Sequence, residues 1–600
     1  MAKVFNKVGG LKPGRTAFSL THTYQTTLDM GQICPVFCEE VDAGDFFDIK
    51  AELVVRANPL VSPVMHNIRA KVDFFYVPFR ILWDDWEKFI SGGRRGEAEI
   101  EIPRWTFRGR DVANPKNPST ATLQQETGVG SLWDCFGLPV SLQTGLSVFN
   151  QNSFQEFQDA GETPNELYRR AYYNIYNEYF RDQNVMKKIA FKESHMNGEM
   201  SPFGTYVSGS TLSLNTVKDP EEYVHLYDND ATIAEERGGL MFANWNKDAF
   251  TSSLPFVQRG QAPGLPYGAV SSAEFLLPPY SNATGGGRNT QSRLFPIAYS
   301  GEAYYVPIET TGLPISDQNP QNEVRRSVQN YLNNNVVNVS GLFTVNDLRT
   351  SFQIQKWLER NARAGVRYTE FIRAHKGVSP RDDRLDRPEY IGGMRAPVII
   401  SEVLQTSESS SSSPQATMAG HGLVADRSRV GKYFVLEPGC IMGLLRIMPS
   451  SSYMQGMRRM WFKRTKYDFY FREFANLGEQ AIEYRELYFD PALGVQSNKD
   501  VFGFQSRYWE YKTIPSVVTG KMRLGTIGGR PGFDFWHLAR KFSMRPTLSK
   551  EFLKMHGTDP TYKRIFAVED EPGFIVTVLN KVKAVRPMPL IGEPGLIDHF

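Results

Sequence analysis

Cysteine is scarce: Cys34, Cys38, Cys135 and Cys440 are the four in 600 residues. They are too few and too scattered for a disulfide framework or a four-thiolate zinc site. Cys34 and Cys38 have a CxxxC spacing without a nearby histidine to complete a metal set, so buried free thiols are expected. Long apolar runs are lacking as well. No stretch of about eighteen apolar residues occurs, which excludes a spanning helix and membrane insertion, and MAKVFNKVGG lacks the apolar core of a signal peptide. Synthesis in a reducing cytosol is expected. An excess of one charge is missing too: 68 Lys and Arg against 65 Asp and Glu leave a formal +3.

Catalytic constellations are equally thin. The nine histidines show no HxH or HExxH spacing for a metal. There is no GxSxG nucleophile elbow, and Cys–His catalysis has no local support. Asp84 and Asp85 are adjacent, so on a helix their side chains diverge and cannot flank one bond; they read as a solvated helix start. Catalytic, cofactor-binding and metal-binding residues are therefore expected to be none.

What is present favours β-structure. Aromatics reach 13%, and 50 glycines with 36 prolines mark many turns, which tilts the class to all-β. The best specified stretch is Asn67 to Gly93, NIRAKVDFFYVPFRILWDDWEKFISGG. Ile68, Ala70, Val72, Phe74 and Tyr76 alternate with Arg69, Lys71, Asp73, Phe75 and Val77, a period-two pattern that lays one face on a core. Pro78, with no N–H to donate, stops the ladder. Leu82, Trp86 and Phe89 or Ile90 recur at helical spacing, and Gly92 with Gly93 ends that short helix.

Residues 1–28 carry Lys3, Lys7, Lys12 and Arg15 with no acid before Asp29, a basic arm suited to phosphate or to plain solvation. Residues 29–190 hold a strand at Phe46 to Ala57, with Phe47, Ile49, Ala51, Leu53 and Val55 on one side. They also hold a helix announced by Thr163, Pro164 and Glu166 as cap, first position and capping-box partner; Leu167, Ala171, Ile175 and Tyr179 form its ridge. Periodicity fails over 191–308, which reads as a surface-exposed insertion. Residues 309–600 begin with a helix capped at Thr344 and ending near Gly365, and another at Tyr368 to His375. Ser407 to Pro414 is a low-complexity loop. Strands are expected at Tyr433 to Leu436, Ile441 to Met448, Asp468 to Phe471, Val517 to Leu524 and Phe574 to Val585. In the last, both alternating sets are apolar, so both faces are expected to be covered.

One segment suits nucleic acid. MRRMWFKRTKY sets Arg458, Arg459, Lys463, Arg464 and Lys466 around Trp461, Phe462 and Tyr467, cations for phosphates and rings for bases. The same alternation also makes an interfacial strand with snorkelling side chains. Trp83, Trp86, Trp461 and Trp536 are the candidate packing or interface anchors. On the residues alone, a carbohydrate-active β-sandwich protein and a single-stranded nucleic-acid-binding protein stand as alternatives.

VMHNIRAKVDFFYVPFRILWDDWEKFISGG resembles the hallmark segment of the major capsid proteins of the Microviridae, specifically the gokushovirus-like branch of small single-stranded DNA bacteriophages. TTLDMGQICPVF, NIYNEYFRDQN, NDLRTSFQIQKWLERNARAGVRYTEFIRAHKGV, RPEYIGG, LGEQAI, VFGFQSRYWEYK with PSVVTG, DFWHLARKF and KAVRPMPLIGEPGLIDHF are similar to that family in the same order, leaving out 191–308. The resemblance implies an eight-stranded antiparallel jelly roll of the viral capsid type, with long loop insertions containing several helices. It implies a structural capsid protein that self-assembles into a 60-subunit icosahedral T=1 capsid around circular single-stranded DNA, with 191–308 as a threefold protrusion facing a bacterial host receptor. Such a protein resides in the virion and is made and assembled in the bacterial host cytoplasm. About sixty subunits at +3 carry roughly 180 charges, far fewer than a genome's phosphates, so a small basic DNA-binding packaging protein and other virion proteins are implied partners.

Overall fold

A computed structural model gives the fold. It describes residues 14–93, 100–105, 127–140, 164–196, 217–224, 240–260, 293–299, 302–308, 345–364, 373–375, 386–404, 418–523, 525 and 532–590. The chain divides into two compact units, one of residues 1–257 with 362–600 and one of residues 258–361. The 191–308 stretch is thus shared between them, with Met241, Trp245 and Phe250 buried in the first unit.

The first unit is built on one antiparallel sheet. Its strands are β1 (Thr16–Ser19), β2 (His22–Leu28), β3 (Cys34–Val41), β4 (Phe46–Ala57), β5 (Ile68–Pro78), β6 (Glu389–Leu404), β7 (Met418–Phe434), β8 (Gly439–Pro449) and β11 (Phe574–Arg586). The order across the sheet is β1, β11, β4, β7, β6, β5, β8, β3, with β2 also on β11. Thr16 faces Arg586 and His22 faces Asn580, a single register, and Leu20 N–H donates to Val582 O at 2.9 Å between them. β1 and β2 therefore act as one strand, which makes eight. Two further strands, β9 (Glu479–Glu483) and β10 (Val501–Ser506), pair apart from it.

Alternation selects the buried face. Phe47, Ile49, Ala51, Leu53 and Val55 of β4, and Ile68, Ala70, Val72, Phe74 and Tyr76 of β5, are buried; each large aliphatic or aromatic side chain so placed stabilises by roughly 1.5–3 kcal/mol. β5 ends at Pro78. Helix α1 (Trp86–Ser91) follows and stops at Gly92, whose φ of 71° is the left-handed value that residues with a Cβ resist. The result is a β jelly roll, the fold the resemblance implies.

Several expectations are corrected. β11 is covered on one face only: Phe574, Val576 and Val578 are buried while Ile575 is 51% exposed, because this sheet face meets solvent. Asp468 to Phe471 is not a strand. Asp468 caps a 3₁₀ turn over Lys466–Asp468, and its carboxylate accepts from the Arg464 and Thr465 amides at 2.9 and 2.7 Å, curling the chain. Of Val517 to Leu524, Gly520 (φ 67°) opens a 3₁₀ turn, Gly520–Arg523, with one bridge from Val517 to Tyr453; Leu524 lies outside the described residues. Helix α2 (Leu167–Ile175) starts later than expected, with the Asn165 side chain accepting from the Leu167 amide at 2.8 Å. Glu166 caps nothing; its carboxylate binds the buried Arg169 and Arg170 guanidinium groups. Thr163 lies outside the described residues. Other expectations agree with the structure: helix α3 (Val345–Ala364) reaches the expected end near Gly365, and of Tyr368 to His375 the described residues 373–375 are helical. All four cysteines are free thiols.

Candidate interaction surface

The basic aromatic segment is not a strand. It is a run of 3₁₀ turns, Arg459–Phe462, Lys466–Asp468 and Arg472–Phe474, packed beside the short helix Trp509–Lys512. Tyr508, which precedes that helix, has φ 60°, a conformation costly for a residue with a Cβ. Its amide donates to the Gln480 side chain at 3.0 Å, and its ring meets Tyr470 and Tyr511 edge-on at 5.1 and 6.1 Å. The kink thereby gathers rings from distant segments.

The candidate cations divide into two sets. Arg459 pairs with Glu486, a carboxylate that is 1% exposed; burial raises the Glu486 pKa, the Arg459 charge and hydrogen bonds pulling against it. Lys463 pairs with Glu510 at 3.3 Å, donates to the Tyr511 hydroxyl at 3.0 Å and sits 4.1 Å from the centre of that ring. A cleft of about 390 Å³ opens between these residues and Trp509. Arg485, which sequence reasoning passed over, lies 3.6 Å from the Phe462 ring centre and pairs with Glu483 at 2.6 Å. By contrast Arg458 and Arg464 face solvent, and so does Lys466, 5.1 Å from the Tyr467 ring centre. Backbone amide donors hold the Asp468 carboxyl below its ordinary pKa.

Around them the surface is apolar. Trp461 is 71% exposed, and Met460, Tyr467, Phe469, Tyr470 and Tyr511 are each more than half exposed. This is a ridge of rings whose internal carboxylates neutralise part of its positive charge. Glu486 and Glu510, the residues that do so, lie 20 or more positions away and carry no local signal.

The remaining candidates are dispersed. Trp83 and Trp86 are buried beside Phe79 and Phe89, with Trp86 and Phe79 rings 5.0 Å apart. Trp536 is half-buried in a 3₁₀ turn, its carbonyl accepting from the Met65 amide at 2.8 Å. Arg15 is exposed, its guanidinium 5.5 Å from the Phe434 ring centre. Lys3, Lys7 and Lys12 lie outside the described residues.

An antiparallel jelly roll with an exposed aromatic ridge is an architecture that shell-building proteins use. The chain belongs to the capsid protein (F protein) family, whose model matches residues 7–596. It is 31% identical to capsid protein VP1 of Chlamydia phage 1 over 99% of this chain and 98% of that protein. It is similar also to capsid protein VP1 of Bdellovibrio phage phiMH2K, at 28% over 99% and 98%, and of Spiroplasma virus 4, at 27% over 97% and 95%. These relatives are Microviridae-type bacteriophage capsid proteins, structural and not enzymatic, which sets aside the carbohydrate-active alternative. The chain is a capsid protein of the virion that self-assembles into a shell. No helix among the described residues is long and apolar enough to cross a membrane.

Proposed function

We propose that the chain forms a T=1 icosahedral shell of about sixty copies around circular single-stranded DNA, in which the aromatic ridge meets a neighbouring copy. The observation that carries the ridge assignment is its composition: Trp, Tyr, Phe, Met and Arg exposed together, with Arg459 and Lys463 already neutralised by Glu486 and Glu510. Subunit contacts concentrate such residues and deplete free charge, whereas a phosphate-binding surface keeps its cations available. Trp461 is the anchor of this contact. Arg458, Arg464 and Lys466 remain available for phosphate, together with the arm carrying Lys3, Lys7, Lys12 and Arg15.

Residues 191–308, apart from the core-packed portion around Met241, Trp245 and Phe250, present the host-attachment loop, and a small basic protein supplies the charge that the shell lacks. Assembly takes place in the bacterial cytoplasm. Sedimentation velocity with negative-stain imaging of the protein, co-expressed with the other virion proteins, tests this reading. Uniform particles of about sixty subunits containing nuclease-protected DNA are expected; a protein that stays monomeric in that setting overturns it. Trp461→Ala should leave the monomer folded and abolish particles.

A further inference from the structure

The outer face of the sheet carries a row of like charges that, among the described residues, Asp73 balances only in part. Lys71 of β5 lies directly opposite Arg395 of β6 on one side and Arg446 of β8 on the other. Arg69, two residues along β5, points to the same face. Neighbouring strands stand about 4.8 Å apart, and residues two apart along a strand about 6.7 Å. Four cations therefore occupy one small area of sheet, and like charges directly opposite each other destabilise strand pairing. The carboxylate bonded within this group is Asp73, 2.9 Å from Arg446. Arg69 and Arg395 are exposed, Lys71 and Arg446 half-buried. Burial and the charges of Arg446 and Arg395 depress the Lys71 pKa, and burial depresses that of Arg446.

A ring stands beside the cations. Tyr390 is 49% exposed on the same face, opposite Phe75, and its hydroxyl donates to Asp73 at 3.3 Å. Gly393 makes that reach possible, because a Cβ there would lie 2.9 Å from the Tyr390 hydroxyl and 2.6 Å from the Asp73 carboxylate. Cations at phosphate-like spacing with an exposed aromatic platform are what a single strand of nucleic acid requires, charge for the backbone and a face for a base. An acidic peptide would need the cations without the ring.

We propose that Arg69, Lys71, Arg395 and Arg446, with Tyr390, form a contact site for the phosphodiester backbone of single-stranded nucleic acid. The proposal rests on the genome-enclosing reading above and gives it a location separate from the aromatic ridge.

The test uses the full chain and a fluorescent oligo-dT of about thirty nucleotides, titrated at several salt concentrations. The double variant Lys71→Gln, Arg395→Gln should weaken binding roughly tenfold or more and reduce the slope of log affinity against log salt by about 1.4, since each phosphate contact on a single strand contributes about 0.7. Lys88→Gln removes one exposed charge from α1 and should change the slope less than Lys71→Gln does. Melting of the double variant should occur at or above the parent's temperature, since a repulsion has been removed. A second readout compares the two proteins: inorganic phosphate, which stabilises folded proteins generally, should raise the parent's melting temperature more than the double variant's. Parent-like affinity and slope in the double variant, or equal phosphate shifts in the two proteins, overturn the site. If particles hold protected DNA and the double variant packages it equally well, the site fails alone. If the parent neither binds oligo-dT nor encloses DNA, the genome reading fails with it.

Discussion

At the residue scale, burial decides what each tryptophan does. Trp86 is enclosed by Phe79 and Phe89, so Trp86→Ala should lower stability by about 3–5 kcal/mol in chemical denaturation. Trp461→Ala, at an exposed site, should shift stability by no more than about 0.5 kcal/mol. Arg459 is a different case, because Glu486 depends on it. Removing Arg459 leaves a buried carboxylate unpaired, and Arg459→Ala should cost about 3–5 kcal/mol at neutral pH. The folded variant would then bind a proton more tightly than the unfolded chain, so its stability should recover as pH falls towards 5 and fall as pH rises. A pH series of melting curves without that recovery would dismiss the pairing. His195 supplies the opposite sign. Burial against Phe191 and Tyr223, with the Lys192 charge nearby, lowers its pKa to about 3. The unfolded value is near 6.5, so its contribution is intact above that pH and disappears as pH drops towards 3. At the limit this amounts to roughly 4–5 kcal/mol. His195→Gln should flatten the stability profile between those values, and an unchanged slope in calorimetry would reject the assignment.

At the element scale, each strand's role follows from which of its faces finds a partner. β4 alternates one buried side with a largely charged side, and β5 does so as far as Asp73, beyond which Phe75 and Val77 are buried too; the outer charges pair across strands, as Arg427 and Lys581 do with Glu52. β8 differs, with almost every residue buried. β11 has apolar residues on both sides but covers one. Ile575 and Val54 remain exposed there, with Leu423 and Ile399 in the register of the adjoining strands. The 3₁₀ run at Arg459–Phe474 depends on side-chain capping rather than on a ladder. Thr465→Ala should therefore cost about 1 kcal/mol and loosen the ridge; hydrogen exchange at the Asp468 amide should rise, and unchanged protection would argue against the capping role.

At the scale of the whole molecule, the first unit encloses its core between distant parts of the chain. Asp29 accepts from the Gly573 amide at 2.9 Å and pairs with Lys563, so both ends of the unit are needed to close it. Deleting residues 574–590 should abolish cooperative unfolding of the first unit, because β4 would lose one of its two partners, keeping β7, and Leu28, Leu53 and Val55 would lose cover. A sharp thermal transition in that truncation would contradict this. For these histidines, stability of the folded chain should fall as pH drops through the ordinary histidine range, since the lowered pKa values of His66, His195 and His537 act in one direction.

The sequence by itself determined the strands with clear alternation, β4 and the first part of β5, the proline and glycines that bound the corner after β5, the β-rich class and, through its ordered motifs, the family. It did so because period and turn chemistry are local properties. The tertiary structure alone decided which cations are spent. Arg459 and Lys463 look like Arg458 and Arg464 along the chain, and only folding brings Glu486 and Glu510 to them. It also decided that β11 covers one face, and that Lys71, Arg395 and Arg446 stand in a row. Those three lie hundreds of positions apart in part, and strand register, which no short window contains, is the force that aligns them.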